Sequence, residues 1–355
     1  MTTTTRRRRR RQRRIGLGLS TAMPVRDLAN WCRKGERYGF DSIWISEDPY
    51  FRDCLPLMAV AALNTRKVPV ATSIVNLYTK HPVYMAMAAA TIDEISGGRL
   101  ILGVGRGLRS LIEGELRIGY GSPLRYAREY LVCLRRLLAG ETVTFEGEMV
   151  KMTRATLHFA PPRRHIPTLL AAMGPKALEL AGKYADGAIL NSCTSVRHAE
   201  GASRLIHSSW RGRKKDPELV CALWTSIDDD KEKAYDGVRT LVGFLLSIPT
   251  FGELYLEESH LDADLAQLRR EFQWQEDVGD PMWHLAKADP DRVKALVDDE
   301  VIDALTVCGS VEDCRRRIRS YHEVGVTTAI VNPMTPETYS KMSRLISNIK
   351  NGRLA

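Results

Sequence analysis

The sequence lacks long apolar runs and lacks the cysteine and histidine patterns that bind metals or build disulfide frameworks. No stretch of eighteen consecutive apolar residues occurs among the 355, so no membrane-spanning helix is expected. The seven cysteines are an odd number without a C-x-x-C pair, and the eight histidines show no H-x-x-x-H or H-E-x-x-H spacing. We therefore expect free thiols in a reducing cytoplasm, and no metal ion.

Positive charge is scarce outside one short segment. The net charge is +9, but residues 6–14 read RRRRRRQRR and hold eight arginines, which leaves +1 for the other 346 residues. A folded part so close to neutrality has no basic face for nucleic acid, so DNA binding would depend on this segment alone. We expect residues 1–14 to be a disordered, self-repelling tail. An export signal is the alternative, but an A-x-A cleavage site is lacking and cleavage would remove the first predicted strand.

Short apolar segments alternate with helical ones along most of the chain. Segments typical of buried strands occupy residues 15–20, 42–47, 68–76, 99–105, 167–173, 187–191, 218–227 and 326–332. Nearly continuous apolar strands separated by amphipathic helices indicate a parallel sheet covered by helices. Eight such strands with right-handed crossovers favour the α/β class and a (β/α)₈ TIM barrel. A doubly wound sheet is the alternative.

Two segments interrupt the alternation, after the fourth and the seventh strand. The first, about residues 107–165, contains a helix and two alternating runs around Glu146–Gly147 that predict a protruding hairpin. The second, about residues 228–325, is too long for one crossover and contains several helical segments. We therefore expect one barrel domain over residues 15–335 with two insertions, followed by a C-terminal helix or tail over residues 336–355.

The chemistry of such a barrel lies at the carboxyl ends of its strands. The second strand ends in Ser46, Glu47 and Asp48, two adjacent carboxylates that could serve as acid and base or orient a ring cofactor. A solvated loop is the alternative for this pair. The third strand ends near the polar residues Asn76, Tyr78 and His81, which we expect to cluster where a ligand would lie. A contact at the start of the following helix is the alternative for His81.

The fourth and fifth strands end in glycine-containing segments. GVGRG ends at Gly107, but Leu108 stands where a dinucleotide fingerprint needs its third glycine, so this signal is weak. A strand end at which a ligand approaches the backbone is the better interpretation. After the fifth strand, Gly174, Pro175 and Lys176 begin a helix, whose free N–H groups and lysine would form a phosphate cradle. An ordinary helix start is the alternative.

Several of these segments together resemble one family. YGFDSIWISEDPYFRD, TSIVNLYTKHP, ISGGRLILGVGRG and GPKALELAGKYADGAILN are similar to the luciferase-like monooxygenase superfamily. Within it they resemble the coenzyme F420-dependent branch that includes methylenetetrahydromethanopterin reductase. The resemblance extends over about residues 15–335.

The resemblance implies a barrel with the deazaflavin F420 across its mouth and a non-proline cis peptide at Ser73–Ile74. It also implies that the segment from Ala172 to Lys176 holds the phosphate side of the cofactor. The family commonly has an acidic residue followed by histidine after the second strand, whereas this chain has Glu47 and Asp48, which become the candidate catalytic acids. The expected cofactor-binding residues are Ser46, Ser73, Ile74, Asn76, Gly105, Arg106, Gly107, Ala172, Met173, Gly174, Pro175, Lys176 and Asn191.

The implied activity is hydride transfer between C5 of F420 and an unsaturated carbon (C=N, C=C or C=O) of a small organic substrate. The alternative within the superfamily is an FMN-dependent monooxygenase that uses O2 and a partner flavin reductase; the GPKALELAG segment favours F420. A cofactor-binding protein without turnover is a further alternative, indicated only by the missing histidine. The relatives suggest a homodimer.

Overall fold

The computed structural model describes residues 13–210 and 215–351, and its centre is a closed barrel of parallel strands. The strands are β1 (Arg14–Leu19), β2 (Ser42–Ile45), β3 (Val70–Thr72), β4 (Val75–Asn76), β5 (Leu100–Gly105), β6 (Val143–Glu146), β7 (Lys151–Ala155), β8 (Thr168–Ala171), β9 (Gly187–Leu190), β10 (Glu218–Ile227), β11 (Val307–Gly309) and β12 (Thr328–Pro333). The pairing order around the barrel is β1-β2-β3-β5-β8-β9-β10-β12, and β12 pairs with β1 to close it. β3 and β4 are separated by a short interruption and together form the third strand of the barrel, since both pair with β5. The barrel therefore has eight strands, and the predicted TIM-barrel class is confirmed.

Helices cover the barrel and fill the insertions. They are α1 (Val25–Tyr38), α2 (Cys54–Leu63), α3 (Pro82–Ser96), α4 (Pro123–Leu138), α5 (Pro175–Tyr184), α6 (Val196–Ser209), α7 (Lys231–Ser247), α8 (Phe251–Ser259), α9 (Leu265–Glu271), α10 (Pro281–Leu285), α11 (Pro290–Leu296), α12 (Asp299–Leu305), α13 (Val311–Glu323) and α14 (Pro336–Asn351). A π-helical turn, Ser110–Glu115, follows β5. The two alternating runs around Glu146–Gly147 form the antiparallel pair β6 and β7.

The structure moves two of the boundaries that the sequence suggested. Arg14 belongs to β1 rather than to the tail, because its backbone N–H bonds to Thr327 O (2.9 Å) in the pairing with β12. Its guanidinium also bonds to Thr328 (3.1 Å) and pairs with Glu218. Residues 1–12 of the predicted tail lie outside the described residues. The second insertion ends before residue 307, because β11 pairs with the end of β10 and α13 is the covering helix before β12.

Two large hydrophobic cores, among four hydrophobic clusters of the described residues, stabilise the chain. The larger one fills the layer between the strands and their covering helices. Along α1, for example, Leu28, Cys32 and Gly35 are buried at helical spacing. The second core lies within the second insertion, mainly between α7, α8, α11 and α12, and Leu108 and Met173 from the barrel pack against it. The insertion is thus joined to the carboxyl ends of β5 and β8.

Among the described residues, no helix is long and apolar enough to cross a membrane. All seven cysteines are free thiols, and all but Cys308 are buried. Burial raises the pKa of Cys32 to about 12 and that of Cys133 to about 11, which keeps both protonated. No group of three or more histidine, cysteine, aspartate or glutamate side chains in the described ranges is arranged to hold a metal ion.

Candidate active site

Glu47 follows β2 and uses both carboxylate oxygens within the protein. Oε1 lies 2.6 Å from Lys80 Nζ, and Oε2 accepts a bond of 2.6 Å from the backbone N–H of Asn76. Lys80 also pairs with Asp53 at 3.5 Å. Burial lowers the pKa of Lys80, but the bonds to Glu47 and Asp53 outweigh it and the net shift is upward. Glu47 therefore fixes β4 to the end of β2 as an acceptor of both bonds.

Asp48 joins the ends of β1 and β2 through one oxygen. Oδ2 accepts bonds from the hydroxyls of Ser20 (2.7 Å), Ser46 (2.8 Å) and Thr21 (3.1 Å), and from the Thr21 N–H (3.3 Å). Oδ1 receives no hydrogen bond from any residue that the structure describes. Of the two predicted acids, Asp48 is therefore the one with an oxygen available to a substrate.

A bulge separates β3 from β4, and its Ser73–Ile74 peptide bond is cis, as the resemblance implied. The Ser73 N–H donates to Ile45 O at 2.8 Å, and the half-buried Ile74 side chain packs over Gly105. A methyl group at Gly105 would lie 2.8 Å from Ile74 Cδ1 and 2.9 Å from Ala171 Cβ, so a side chain there would push the Ile74 side chain aside. The glycine is thus explained by packing inside the protein, while its contact with a cofactor stays a prediction.

Asn76 and Gly107 also contact each other. Gly107 has φ +65°, and a methyl group on it would lie 2.2 Å from Asn76 Nδ2. The Asn76 side chain is buried, and its Oδ1 accepts a bond from the Tyr78 N–H at 2.8 Å. Between these glycines, Arg106 is exposed at the end of β5. Arg106 is therefore the residue of this segment whose side chain is available to a ligand.

A stack of tyrosines, which the sequence did not reveal, supports the bulge from outside. Tyr78 stacks between Tyr120 (4.8 Å) and Tyr126 (4.5 Å), and its hydroxyl donates to Tyr120 O at 2.6 Å. Tyr126 donates to Leu77 O at 3.2 Å. Burial raises the pKa of all three phenols and keeps them neutral. The only sequence signal was the aromatic pair four residues apart, Tyr126 and Tyr130, on α4.

His81 takes the structural role that we gave as its alternative. It is the N-cap of α3, and its exposed ring accepts a long bond of 3.4 Å from the Val83 N–H through Nδ1. Pro82 follows at the first helical position, which suits a helix start. His81 therefore needs no ligand to account for it.

The segment after β8 presents the start of a helix to solvent. Gly174 is the N-cap of α5 and no side chain among the described residues caps it, while Pro175 and Lys176 are exposed. The first-turn N–H groups of a helix carry partial positive charge, so this start and the Lys176 ammonium are suited to an anion. Ala172, in contrast, is buried, and its N–H bonds to Ile189 O at 3.0 Å.

Met173 and Asn191 are held by groups that the sequence did not single out. The Asn191 N–H lies 3.1 Å from Met173 Sδ, and its Nδ2 donates to Tyr255 OH at 3.0 Å. The buried His198 lies with Nε2 3.1 Å from Met173 O, so Nε2 carries the proton. Burial lowers the pKa of His198 and keeps it neutral. His198 thereby fixes the carbonyl that precedes Gly174.

These segments converge because their strands are neighbours. β5 pairs with β4 on one side and with β8 on the other, and β9 follows β8. Three features therefore follow one another along one side of the barrel mouth: the bulge at Ile74, the exposed Arg106 and the uncapped start of α5. Glu47 and Asp48 follow on the adjoining strand, beyond the bulge.

Many enzymes are α/β barrels with their polar groups at one mouth. Comparison with known proteins identifies the family to which this barrel belongs. A family model described as luciferase-like monooxygenase matches residues 7–328. The 5,10-methylenetetrahydromethanopterin reductase of Methanolobus tindarius is 30% identical over 335 residues, which are 93% of this chain and 97% of that protein. The chain is an oxidoreductase. It belongs to the luciferase-like monooxygenase family.

Solved structures show the same fold over nearly the whole chain. The coenzyme F420-dependent tetrahydromethanopterin reductase from Methanopyrus kandleri superposes with a TM-score of 0.77 at 24% identity, covering 94% of this chain and 96% of that one. An F420-dependent secondary alcohol dehydrogenase in complex with an F420–acetone adduct gives 0.76 at 20% identity, covering 95% and 99%. The family resemblance noted from the sequence is confirmed.

Proposed function

We propose that this protein is an F420-dependent oxidoreductase that transfers hydride between C5 of the deazaflavin and an unsaturated carbon of a small organic substrate. The observation that supports it most is the order of groups along β4, β5 and β8. A bulge with a half-buried Ile74 stands on one side of β5, and the uncapped start of α5 stands on the other. The end-to-end similarity to F420-dependent reductases supports the choice of cofactor.

The residues present fit such a cofactor. Ile74 offers an apolar surface to one face of a flat ring, so the opposite face is left for the substrate. Lys176 and the first-turn N–H groups of α5 would bind the phosphate. Bound in this way, F420 would supply the hydride chemistry, while the barrel supplies orientation and selects the face.

We assign the proton transfer to Asp48 rather than to Glu47. Both oxygens of Glu47 accept bonds within the protein, one of them from a lysine. Asp48 concentrates its four bonds on Oδ2, which fixes the carboxyl group and leaves Oδ1 for the substrate. An oriented carboxyl group of this kind contributes about 10²- to 10⁴-fold to the rate of a proton-coupled step.

The test is anaerobic oxidation of reduced F420 by a panel of imines, activated alkenes and carbonyl compounds, followed by the return of the oxidised chromophore. The wild-type protein should accelerate oxidation by at least one member, and Asp48→Asn should lose most of that rate while binding F420 normally. Glu47→Gln is the matched control, with an effect expected mainly on stability. A panel without turnover, together with oxygen-dependent turnover in the presence of reduced FMN, would establish the monooxygenase alternative instead.

The protein is proposed to act as a homodimer. The neighbouring helices α2 and α3 expose several large apolar side chains; Leu63 is 74% exposed and Tyr84 is 68% exposed. Met87 and Ile95 on α3 are exposed as well. Exposed apolar residues grouped in this way favour association with another apolar surface. A second copy of the chain carries the same surface, so two copies can bury it against each other.

Light scattering on the purified protein checks this proposal. The wild-type chain should have the mass of a dimer, and the double variant Leu63→Glu, Tyr84→Glu should have that of a monomer. Phe159→Glu, a single substitution of the same kind at an exposed aromatic residue elsewhere, is the control for the effect of an added surface charge and should stay dimeric. A monomeric wild-type protein would refute the homodimer.

A further inference from the structure

Glu115 connects three loops of the barrel mouth through one carboxylate. Its Oε2 accepts a hydrogen bond from the hydroxyl of Tyr50, in the loop after β2. Its Oε1 accepts from the backbone N–H groups of Gly279 (2.7 Å) and Asp280 (3.1 Å), in the insertion after β10. Glu115 itself ends the π-helical turn after β5. One side chain therefore joins the loops that follow β2, β5 and β10.

The position of these strands means that one loop crosses the mouth. Around the barrel, β10 is three strands from β5 in one direction and three strands from β2 in the other. All three loops leave the carboxyl ends of their strands. Residues 273–280, which we call the strap, therefore reach Glu115 from the far side of the barrel.

The strap and the π-helical turn are in direct backbone contact. A methyl group on Gly279 would lie 2.3 Å from Leu111 Cα, and one on Gly114 would lie 2.7 Å from Asp277 Cα. Neither position can carry a side chain without separating the two segments. The bonds to Glu115 are thus part of a close-packed contact.

A buried histidine holds the strap at the insertion side. His284 is 1% exposed, with Nδ1 3.0 Å from Phe272 O and Nε2 3.1 Å from Val278 O. Trp274, within the strap, stacks on the imidazole at 4.9 Å. Both ring nitrogens face carbonyl oxygens, so a ring nitrogen that carries a proton donates to the carbonyl it faces. The strap is therefore anchored at both ends, on His284 and on Glu115.

Exposed side chains of both kinds surround Glu115. Tyr50 is 63% exposed, the nearby apolar residues Phe51, Leu116 and Met282 are exposed as well, and so are the charged residues Arg52, Arg117 and Asp277. Tyr50 also has φ +63°, a conformation that non-glycine residues rarely adopt. Partial burial and the bond to Glu115 raise the pKa of Tyr50 to about 12, so its hydroxyl remains a donor.

We propose that Glu115 is a positioning residue that closes the strap over the cofactor and thereby limits, by size, which substrates reach it. This inference rests on the proposed function, since it takes the barrel mouth as the cofactor site. The carboxylate acts through the strap and through Tyr50. Removing it should open the mouth without altering the groups that hold the cofactor.

The test compares Glu115→Ala, Glu115→Gln and Tyr50→Phe in the full-length chain. Glu113→Ala is the matched control, because Glu113 lies on the same turn but pairs only with the exposed Arg109 among the residues described. Two quantities are measured: amide hydrogen exchange over residues 48–52 and 277–281, and acrylamide quenching of the fluorescence of bound F420. Acrylamide is a small neutral probe of access to the cofactor, and FMN replaces F420 as the fluorophore if the wild-type protein binds only FMN.

In Glu115→Ala we expect exchange at least tenfold faster in both segments and acrylamide quenching at least threefold stronger, with the cofactor Kd within twofold. Glu115→Gln keeps an acceptor for the two N–H groups and should restore protection of 277–281. Tyr50→Phe should loosen only residues 48–52 and raise acrylamide quenching less than Glu115→Ala does. It provides the test if Glu115→Ala fails to fold, and unchanged quenching there, with residues 48–52 exchanging faster, would overturn the inference. If a variant shows faster amide exchange in the strap but the same acrylamide quenching as the wild type, this inference is overturned while the proposed function stands. A wild-type protein that binds neither cofactor would overturn the proposed function and this inference together.

Discussion

Reversing the charge of Lys176 should weaken binding of F420 much more than binding of its phosphate-free deazaflavin core. Lys176 is exposed in the first turn of α5, where the N–H groups have no side-chain cap among the described residues. A phosphate there interacts with the ammonium and with the helix start. The phosphate-free core has no such interaction, so it should be insensitive to the change.

The magnitude follows from an exposed pair of charges. At about 6 Å and an effective dielectric constant of about 60, two unit charges attract by roughly 1 kcal/mol. Lys176→Met removes this attraction and should raise the Kd about fivefold, whereas Lys176→Glu turns it into repulsion and should raise the Kd about 30-fold. Because the site is exposed, about 0.5 M salt should reduce both effects.

The assay is a fluorescence titration of each variant with F420 and with the phosphate-free core, at low and high salt. Lys183→Glu is the matched control, since it makes the same charge change near the other end of α5 and should alter neither affinity much. Equal losses for both ligands in Lys176→Glu would refute the assignment of α5 to the phosphate.

Three further predictions concern stability and the arginine run. Lys80→Met should lower the free energy of unfolding by about 2 kcal/mol. This is less than for a fully buried pair, because Lys80 and Glu47 are each 17% exposed. Since the folded pKa of Lys80 is raised, the stability difference should be complete below about pH 10.5 and disappear as the pH rises through the folded pKa, which alkaline thermal melts would show. Asp93→Ala removes a fully buried carboxylate that pairs with Arg163 (2.6 Å) at the amino end of β5. It should lower the free energy of unfolding by about 3 kcal/mol, measured by thermal unfolding, yet leave the F420 Kd unchanged. A shifted Kd would contradict the location of the site. Deleting residues 2–12 should leave the melting temperature unchanged and abolish any salt-sensitive DNA binding, and DNA binding that persists would show a basic face we do not expect.

The barrel and the ends of its strands could be predicted because each strand is a continuous apolar segment bounded by polar or glycine residues. The ends of β2, β5 and β8 were identified for this reason, and Ser73–Ile74 from the family resemblance. The role of Glu47 could not be read in the same way. Its partner Lys80 is 33 residues away, and their pairing depends on how the bulge turns after β3.

The groups that sequence reasoning missed depend on contacts between distant segments. Glu115 lies in a π-helical turn, which has no distinctive sequence pattern, and its partners are 65 and 164 residues away in the chain. The Tyr78 stack forms only when α4 folds back over the bulge. β11 has three residues, too few for an apolar pattern, so the end of the second insertion was placed too late.

The central claim, an F420 site at the barrel mouth, is tested most directly by titrating the wild-type protein with oxidised F420 and, separately, with FMN, following ligand and protein fluorescence. The account predicts F420 binding in the micromolar range and FMN binding at least tenfold weaker. Preferential binding of FMN would contradict it, and would assign the protein to the oxygen-using members of the family.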